Sequence, residues 1–426
     1  MTPERRTALT YRYEKLRALA SGVLETAGTT FLLLIAVRWF HAGSIAKALV
    51  ATGASVGLIL APVVVSQVEH RQWPAARTAS WIALLGAVAF LVAAVFPVLP
   101  VFVAGSVIGL ACASTIVPLM THVYQHNYPE SRRGLLFSRT VMVRIVAAVI
   151  VGELAGRWLS PPQAGAWYGR FFNGGMDHFQ WLLVCFAAAH ALAAYSLTHV
   201  PSITLSATGG SHPFKALRYV RHDKLFRMTL ISWMFLGFGN LMMVPLRIEY
   251  LANTTKYGVV LHGAALSAGA IALLTSVLPN LARLLLNPLW GWLFDRMNFF
   301  VMRITLNLGF MLGILSFFAT NSFWGLIAGA LFYGVSIAGG DVAWSLWVTK
   351  FAPPERVADY MAVHTFFTGL RGAVAPVLAF QAAGVLTLST LEWISASLVL
   401  IGTLLLVPEI RHGKISRPEP DLAEEI

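Results

Sequence analysis

The chain has 426 residues, of which 57% are hydrophobic and 12% charged, about half the charged share of a soluble protein. Its net charge of +12 does not mark a nucleic-acid surface, because the basic residues are mostly spread over short segments between apolar runs. Two cysteines, Cys112 and Cys185, lie in apolar runs without a partner motif; they exclude a disulfide scaffold and read as small buried hydrophobes.

Apolar runs of about 20 residues, long enough to cross a bilayer, recur along the chain. Twelve are predicted: 18–40, 45–67, 78–98, 100–124, 136–158, 178–199, 227–250, 262–293, 299–319, 322–348, 357–384 and 388–408. Pro97, Pro100, Pro161-Pro162 and Pro353-Pro354 separate neighbouring runs. A soluble bundle would need polar outer faces on most helices, and these have almost none. The fold class is therefore an all-α integral membrane protein. Two six-helix bundles are expected at 1–200 and 227–410, with a cytoplasmic linker at 201–226 and a cytoplasmic tail at 411–426.

The first 17 residues are polar, so no cleavable signal peptide is expected; span 1 serves as its own insertion signal. Span 1 carries Glu25 and Thr29 four residues apart. Span 2 closes with Ala61-Pro62 and then Glu69-His70. Span 5 carries Arg139, which lies near the span's end and can snorkel, and Arg144 deeper inside. It also carries Ala148, Gly152, Glu153, Ala155 and Gly156, of which the small residues are spaced to suit close helix packing. The linker contains Ser211, a candidate cap for a short helix. Lys215, Arg218, Arg221 and Lys224 would form a basic face on it near the lipid headgroups.

Polar groups at membrane depth are costly unless they face a partner or water. Span 7 carries Trp233, Asn240 and Arg247 at i, i+7 and i+14. Span 8 carries Ser276, Asn280, Arg283 and Asn287 at i, i+4, i+7 and i+11, a single polar stripe. Tyr333 and Trp344 in span 10 are nearly in register, with Asp341 nearby. Span 11 carries His364, Phe367 and Arg371 on one face. No metal-ligand cluster, Walker loop or nucleophile elbow occurs, so no cofactor, no metal and no catalytic residue is expected, and an ATP-driven pump is disfavoured.

The end of span 8 repeats the end of span 2. Pro62 and Pro288 are 226 residues apart, as are Glu69 and Asp295. Pro129-Glu130 and Pro354-Glu355 are 225 apart. Such a period indicates a duplicated six-span unit with a pathway between the copies.

Twelve spans, a midpoint linker and the Gly291-x-x-x-Asp295-Arg296 turn resemble the major facilitator superfamily of secondary transporters, over nearly the whole chain. Asn298 departs from that family's motif after span 8. After span 2, Val65, Glu69 and His70 stand at the glycine, aspartate and basic positions. The family usually keeps its stronger copy in the first half; this chain inverts that habit. The resemblance implies two pseudo-twofold-related six-helix bundles. It implies that Glu69, Gly291, Asp295 and Arg296 form a cytoplasmic gate, with Asp295 near Arg132 and Arg133 and Glu69 near Arg356. It also implies that spans 1, 4, 7 and 10 line the cavity, flanked by 2, 5, 8 and 11.

With both termini on one side, basic residues in the loops and termini divide 21 to 6 in favour of that side. This places the termini in the cytoplasm, with the chain in the plasma (bacterial inner) membrane. The other four, Arg139, Arg144, Arg283 and Arg371, fall inside spans.

The expected function is secondary transport by alternating access. Arg144, Trp233, Asn240, Asn280, Arg283, Tyr333, Trp344, Phe367 and Arg371 are the candidate substrate residues. Glu25, Asp341 and His364 are the candidate proton carriers. Two carboxylates cannot neutralise three cavity guanidiniums one to one, so a small organic anion or amphipathic substrate is expected, moved with H⁺ by a monomer in the lipid bilayer. The alternatives are a multidrug exporter for cationic or neutral compounds, and a non-transporting assembly factor or sensor of the same fold.

Overall fold

A computed structural model describes residues 1–160, 177–202, 204, 217–261, 263–319, 322–350 and 357–414. Within them run twelve helices long and apolar enough to span a membrane: α1 Pro3–Arg38, α2 Ser44–His70, α3 Ala75–Val95, α4 Leu99–Asn127, α5 Arg132–Trp158, α6 His178–Thr198, α7 Lys224–Ala252, α8 Ala268–Phe294, α9 Phe299–Phe318, α10 Phe323–Trp344, α11 Val363–Ala382 and α12 Leu388–His412. Pro62 and Pro288, the repeat marks in the sequence, each lie inside a helix, α2 and α8.

The first helix starts at Pro3, well before the predicted boundary near residue 18. Its polar first turns are anchored. Arg17 binds Glu14 through Nε at 2.8 Å and donates from Nη2 to the Tyr124 hydroxyl at 2.9 Å. Asn127 donates to Thr10 Oγ1 at 3.0 Å and to the Pro201 carbonyl at 2.6 Å. These partners on α4 and the linker hold a charged segment that hydrophobicity alone would leave outside.

Within the described residues the surface helix of the linker runs Arg218–His222. Lys224 belongs instead to α7, whose first turn is capped by Asp223 Oδ1 accepting from Phe226 N at 2.9 Å. Lys215, Ser211, Pro353-Pro354 and Arg356 lie outside the described residues. Cys112 is buried as expected, whereas Cys185 sits on the outer face of α6.

Two helices depart from α geometry at matching places. A π turn, Ala27–Phe31, interrupts α1, and another, Leu273–Val277, interrupts α8. Thr30 and Thr275, one from each turn, share a hydroxyl hydrogen bond of 3.1 Å across the two halves. An inserted residue of this kind exposes backbone groups and is commonly kept near functional sites.

Twelve crossings return the chain to the side on which it began. The halves meet through α2 against α11 and α5 against α8, along the end opposite the termini. Gly152 faces Ser276, where a Cβ would lie 2.9 Å from its hydroxyl; at Gly156 a Cβ would lie 2.7 Å from Ala272 Cβ. A Cβ on Gly369 would lie 2.9 Å from Ile59 Cγ1. The cores follow the same division. One apolar cluster runs through both halves, from Leu34 and Phe102 to Leu246 and Phe380. The other, around Trp233, Phe294, Phe300 and Trp347, belongs wholly to the second half and lies toward the terminal end. Among the described residues the contacts between the bundles therefore gather toward the far end, which leaves the terminal end the less joined of the two.

Candidate functional site

Four charged side chains from four helices meet near mid-depth. Arg283 of α8 donates from Nε to Asp341 of α10 and from Nη1 to Glu25 of α1. Arg144 of α5 shares Glu25, with Nε 3.2 Å from Oε2. Asn280, one turn before Arg283, accepts from the same guanidinium at 3.2 Å. The cluster joins the two halves, since Glu25 and Arg144 come from the first and Arg283 and Asp341 from the second.

Local sequence brings these groups together. Gly22 lets α1 lie against α5, where a Cβ would sit 2.6 Å from Ala147 Cβ. Gly334 lets α10 close on α8, where a Cβ would sit 2.6 Å from the Pro279 carbonyl oxygen. Arg283 follows the π turn of α8, and Glu25 precedes that of α1. Desolvating an ion is tolerable only when partners are well placed, and Arg283, with 7% of its side chain exposed, has three. The side chains of Arg144 and Asp341 are 34% and 35% exposed, although both point between helices. Thr29, one turn past Glu25, is exposed beside them.

The other expected side chains fall into two further groups. Trp233, Trp344, Phe367, His364 and Arg371 lie in or against the second core, away from Arg283. There Arg371 Nη1 donates to the Trp233 carbonyl, and His364 is fully buried. Asn240, Arg247 and Tyr333 line one small cavity; the Arg247 guanidinium stacks on the Tyr333 ring at 3.7 Å. Ser276 is spent on packing against Gly152. Glu153, a possible partner for Arg144, instead pairs with Arg157 at 2.6 Å on the exterior.

At the terminal end, a Cβ on Gly291 would meet nothing within 4 Å, so α8 is unopposed there. Arg296 rests on the Trp292 ring at 4.7 Å. Arg133 donates to the Gln125 carbonyl at 3.1 Å, and Glu69 is half-buried at the end of α2. The Asp295 side chain and Arg356 lie outside the described residues, so neither expected latch pairing is visible.

Three features were not read from the sequence. Lys47 of α2 forms a buried ion pair with Glu249 of α7, 2.6 Å apart, and Asn253 supports Glu249 at 2.9 Å. Arg38 of α1 donates to the Leu266 and Ala252 carbonyls of the other half. Both basic residues had been counted among loop charges, and a one-chain reading gives no signal that they cross the seam. Arg303, also counted with the loops, is 3% exposed inside α9; its position four residues past the start of a predicted span was the available clue.

Residues 250–423 match the Major Facilitator Superfamily model. That match covers most of the second half of the chain. No curated protein sequence matches the chain. Among solved structures, a variant of the nucleoside transporter NupG is similar with a TM-score of 0.73 and 13% identity, covering 94% of this chain and 99% of that one. A D-xylose-proton symporter aligns with a TM-score of 0.63 and 17% identity, covering 97% and 98%. A bacterial homologue of human lysosomal Spinster, solved inward-facing and unoccupied, aligns at 0.62 and 14% identity, covering 96% of each chain. At these identities the likeness is one of fold. In this fold the four-residue charge cluster lies at the junction of the two bundles.

Proposed function

We propose that this chain is a secondary transporter that works by alternating access and moves a small organic anion, or an amphipathic molecule with an anionic end, together with protons. The observation that carries the reading is Glu25 of the first half, shared by Arg144 and by Arg283 of the second half, with Asp341 also held by Arg283. Two guanidiniums and two carboxylates leave the cluster neutral. A proton on either carboxylate leaves one guanidinium uncompensated in a poorly solvated site, which is costly until another anion arrives. The proton and the anion therefore each favour the other's binding, and this reciprocity is what coupling requires. The same protonation weakens the tie between α1 and α8, so loading acts directly on the joint between the bundles. Arg144 and Asp341, the more exposed members, are the groups an arriving substrate meets first.

The charge bias of the loops puts the less joined end in the cytoplasm, so this conformation is inward-open. Return to the outward-open state breaks the far-end seam, including Lys47–Glu249, and closes the terminal end around Glu69 and the Gly291–Arg296 turn.

Purified protein in liposomes, screened with organic anions, cations and neutral compounds under an imposed pH gradient, tests the reading. An anion is expected to accumulate with the gradient. Asp341→Asn is expected to abolish gradient-driven accumulation while keeping exchange of labelled for unlabelled substrate. If Arg283→Ala and Arg144→Ala leave transport of the best substrate unchanged, the anion reading fails. Accumulation of cations alone would favour multidrug export.

A further inference from the structure

The transport cycle above leaves one cluster of charge unused. Arg303 of α9 enters the second core with its guanidinium 3.7 Å from the Trp233 ring centroid and is 3% exposed. Arg371 of α11 reaches the same indole at 5.9 Å and is equally removed from solvent. Gly237 leaves the space its guanidinium fills. His364, two turns earlier on α11, meets Trp233 at 5.0 Å and Trp347 at 5.1 Å, both edge-on, and is 0% exposed.

Beyond the Arg371 Nη1 bond to the Trp233 carbonyl, this centre holds polar atoms without partners. The Arg371 Nε–H and the Trp233 Nε1–H have no partner, and neither ring nitrogen of His364 has one. Among the described residues, no carboxylate lies within ion-pair distance of Arg303, Arg371 or His364. Two acids of the described residues are committed elsewhere: Asp341 to Arg283, and Asp223 to the α7 cap and to the Tyr360 hydroxyl. Arginine does not shed its proton in proteins. A buried unpaired ion costs several kcal/mol. Stacking on an indole returns about 2 kcal/mol per desolvated cation. Two guanidiniums on one ring, repelling each other, carry two positive charges and meet no carboxylate among the described residues.

We propose that Arg303, Arg371 and His364 bind a single small inorganic anion of the halide class inside the C-terminal bundle, separate from the charge cluster at the bundle junction. The donors are mixed in type, as suits an ion without directional demands. The rings of Trp233, Trp344 and Trp347 all pack on His364, which surrounds the centre with apolar groups. The ion offsets one of the two buried positive charges and eases the repulsion between the guanidiniums.

The test uses the full chain purified in detergent, in halide-free buffer and without any organic substrate. Sodium bromide is titrated against sodium gluconate at constant ionic strength, and the unfolding midpoint is read. Bromide is expected to raise it saturably by at least about 2 °C, gluconate not. Arg303→Gln and Arg371→Gln are expected to lose the rise, while Arg157→Gln, on the exterior, keeps it. Anomalous scattering from bromide-soaked crystals of the unmodified protein gives the position, whatever the variants do. A peak bounded by Arg303, Arg371 and His364 supports the site. An equal response to both salts overturns it, as does a peak beside Arg144 and Arg283. Neither readout depends on transport.

Discussion

Arg283 is the residue whose shape matters as much as its charge. Its Nε faces Asp341 and its Nη1 faces Glu25, so one planar group spans two helices from opposite halves. Lysine offers a point charge and cannot hold two carboxylates in a fork. Arg283→Lys is therefore expected to lose at least about tenfold in transport rate, the equivalent of one charge-assisted hydrogen bond, measured as initial uptake in liposomes. Arg283→Ala is expected to be worse for stability, by roughly 3 kcal/mol, because it strands Asp341 and leaves Glu25 with Arg144 alone. Adding Asp341→Asn to Arg283→Ala is expected to recover part of that loss in thermal unfolding; no recovery would mean that charge imbalance is not the cause.

At the scale of elements, the seam between α5 and α8 rests on missing side chains. Gly152 and Gly156 let the helices approach, with Ser276 and Ala272 filling the space. Gly156→Val is expected to destabilise the protein by about 1–3 kcal/mol through overpacking. Gly134→Val, on the same helix with nothing within 4 Å, is the control and is expected to leave the unfolding midpoint nearly unchanged. The spacing of these small residues was legible as packing, and so were most helix ends, because apolar length and prolines mark them directly. The start of α1 was not, because its anchors, Tyr124, Asn127 and the Pro201 carbonyl, are distant in sequence. The π turns were not legible either, since no residue type specifies them. The stripe Asn280–Arg283 pointed to the charge cluster, because a polar face on an apolar helix must find partners. Which carboxylate meets which guanidinium depends on helix rotation, which periodicity does not fix. Span 11 shows the same limit: His364 and Arg371 share a face as read, but that face turns into its own bundle rather than toward Arg283.

For the whole molecule, the decisive contrast is between a sealed end and a less joined one. The seal includes a buried ion pair, Lys47–Glu249, and the Arg38 bonds to the loop before α8. Lys47→Cys with Glu249→Cys, in a background lacking Cys112 and Cys185, is expected to react with a short reversible thiol crosslinker. Transport should stop when the bridge forms and return on reduction. Transport that persists with the bridge intact would show that this end need not open.

The two apolar clusters differ in reach, and that difference sets how the parts can travel. The larger one is common property of both halves, so any swing that opens the far side must cut through it and wet its surfaces. The smaller one belongs to the second half alone, so it rides along undisturbed. The first half keeps no such private keel at its terminal end; there Glu14, Arg17 and Tyr124 brace α1 to α4 with polar bonds instead. Loosening that brace should soften one leaf of the hinge and leave the other stiff.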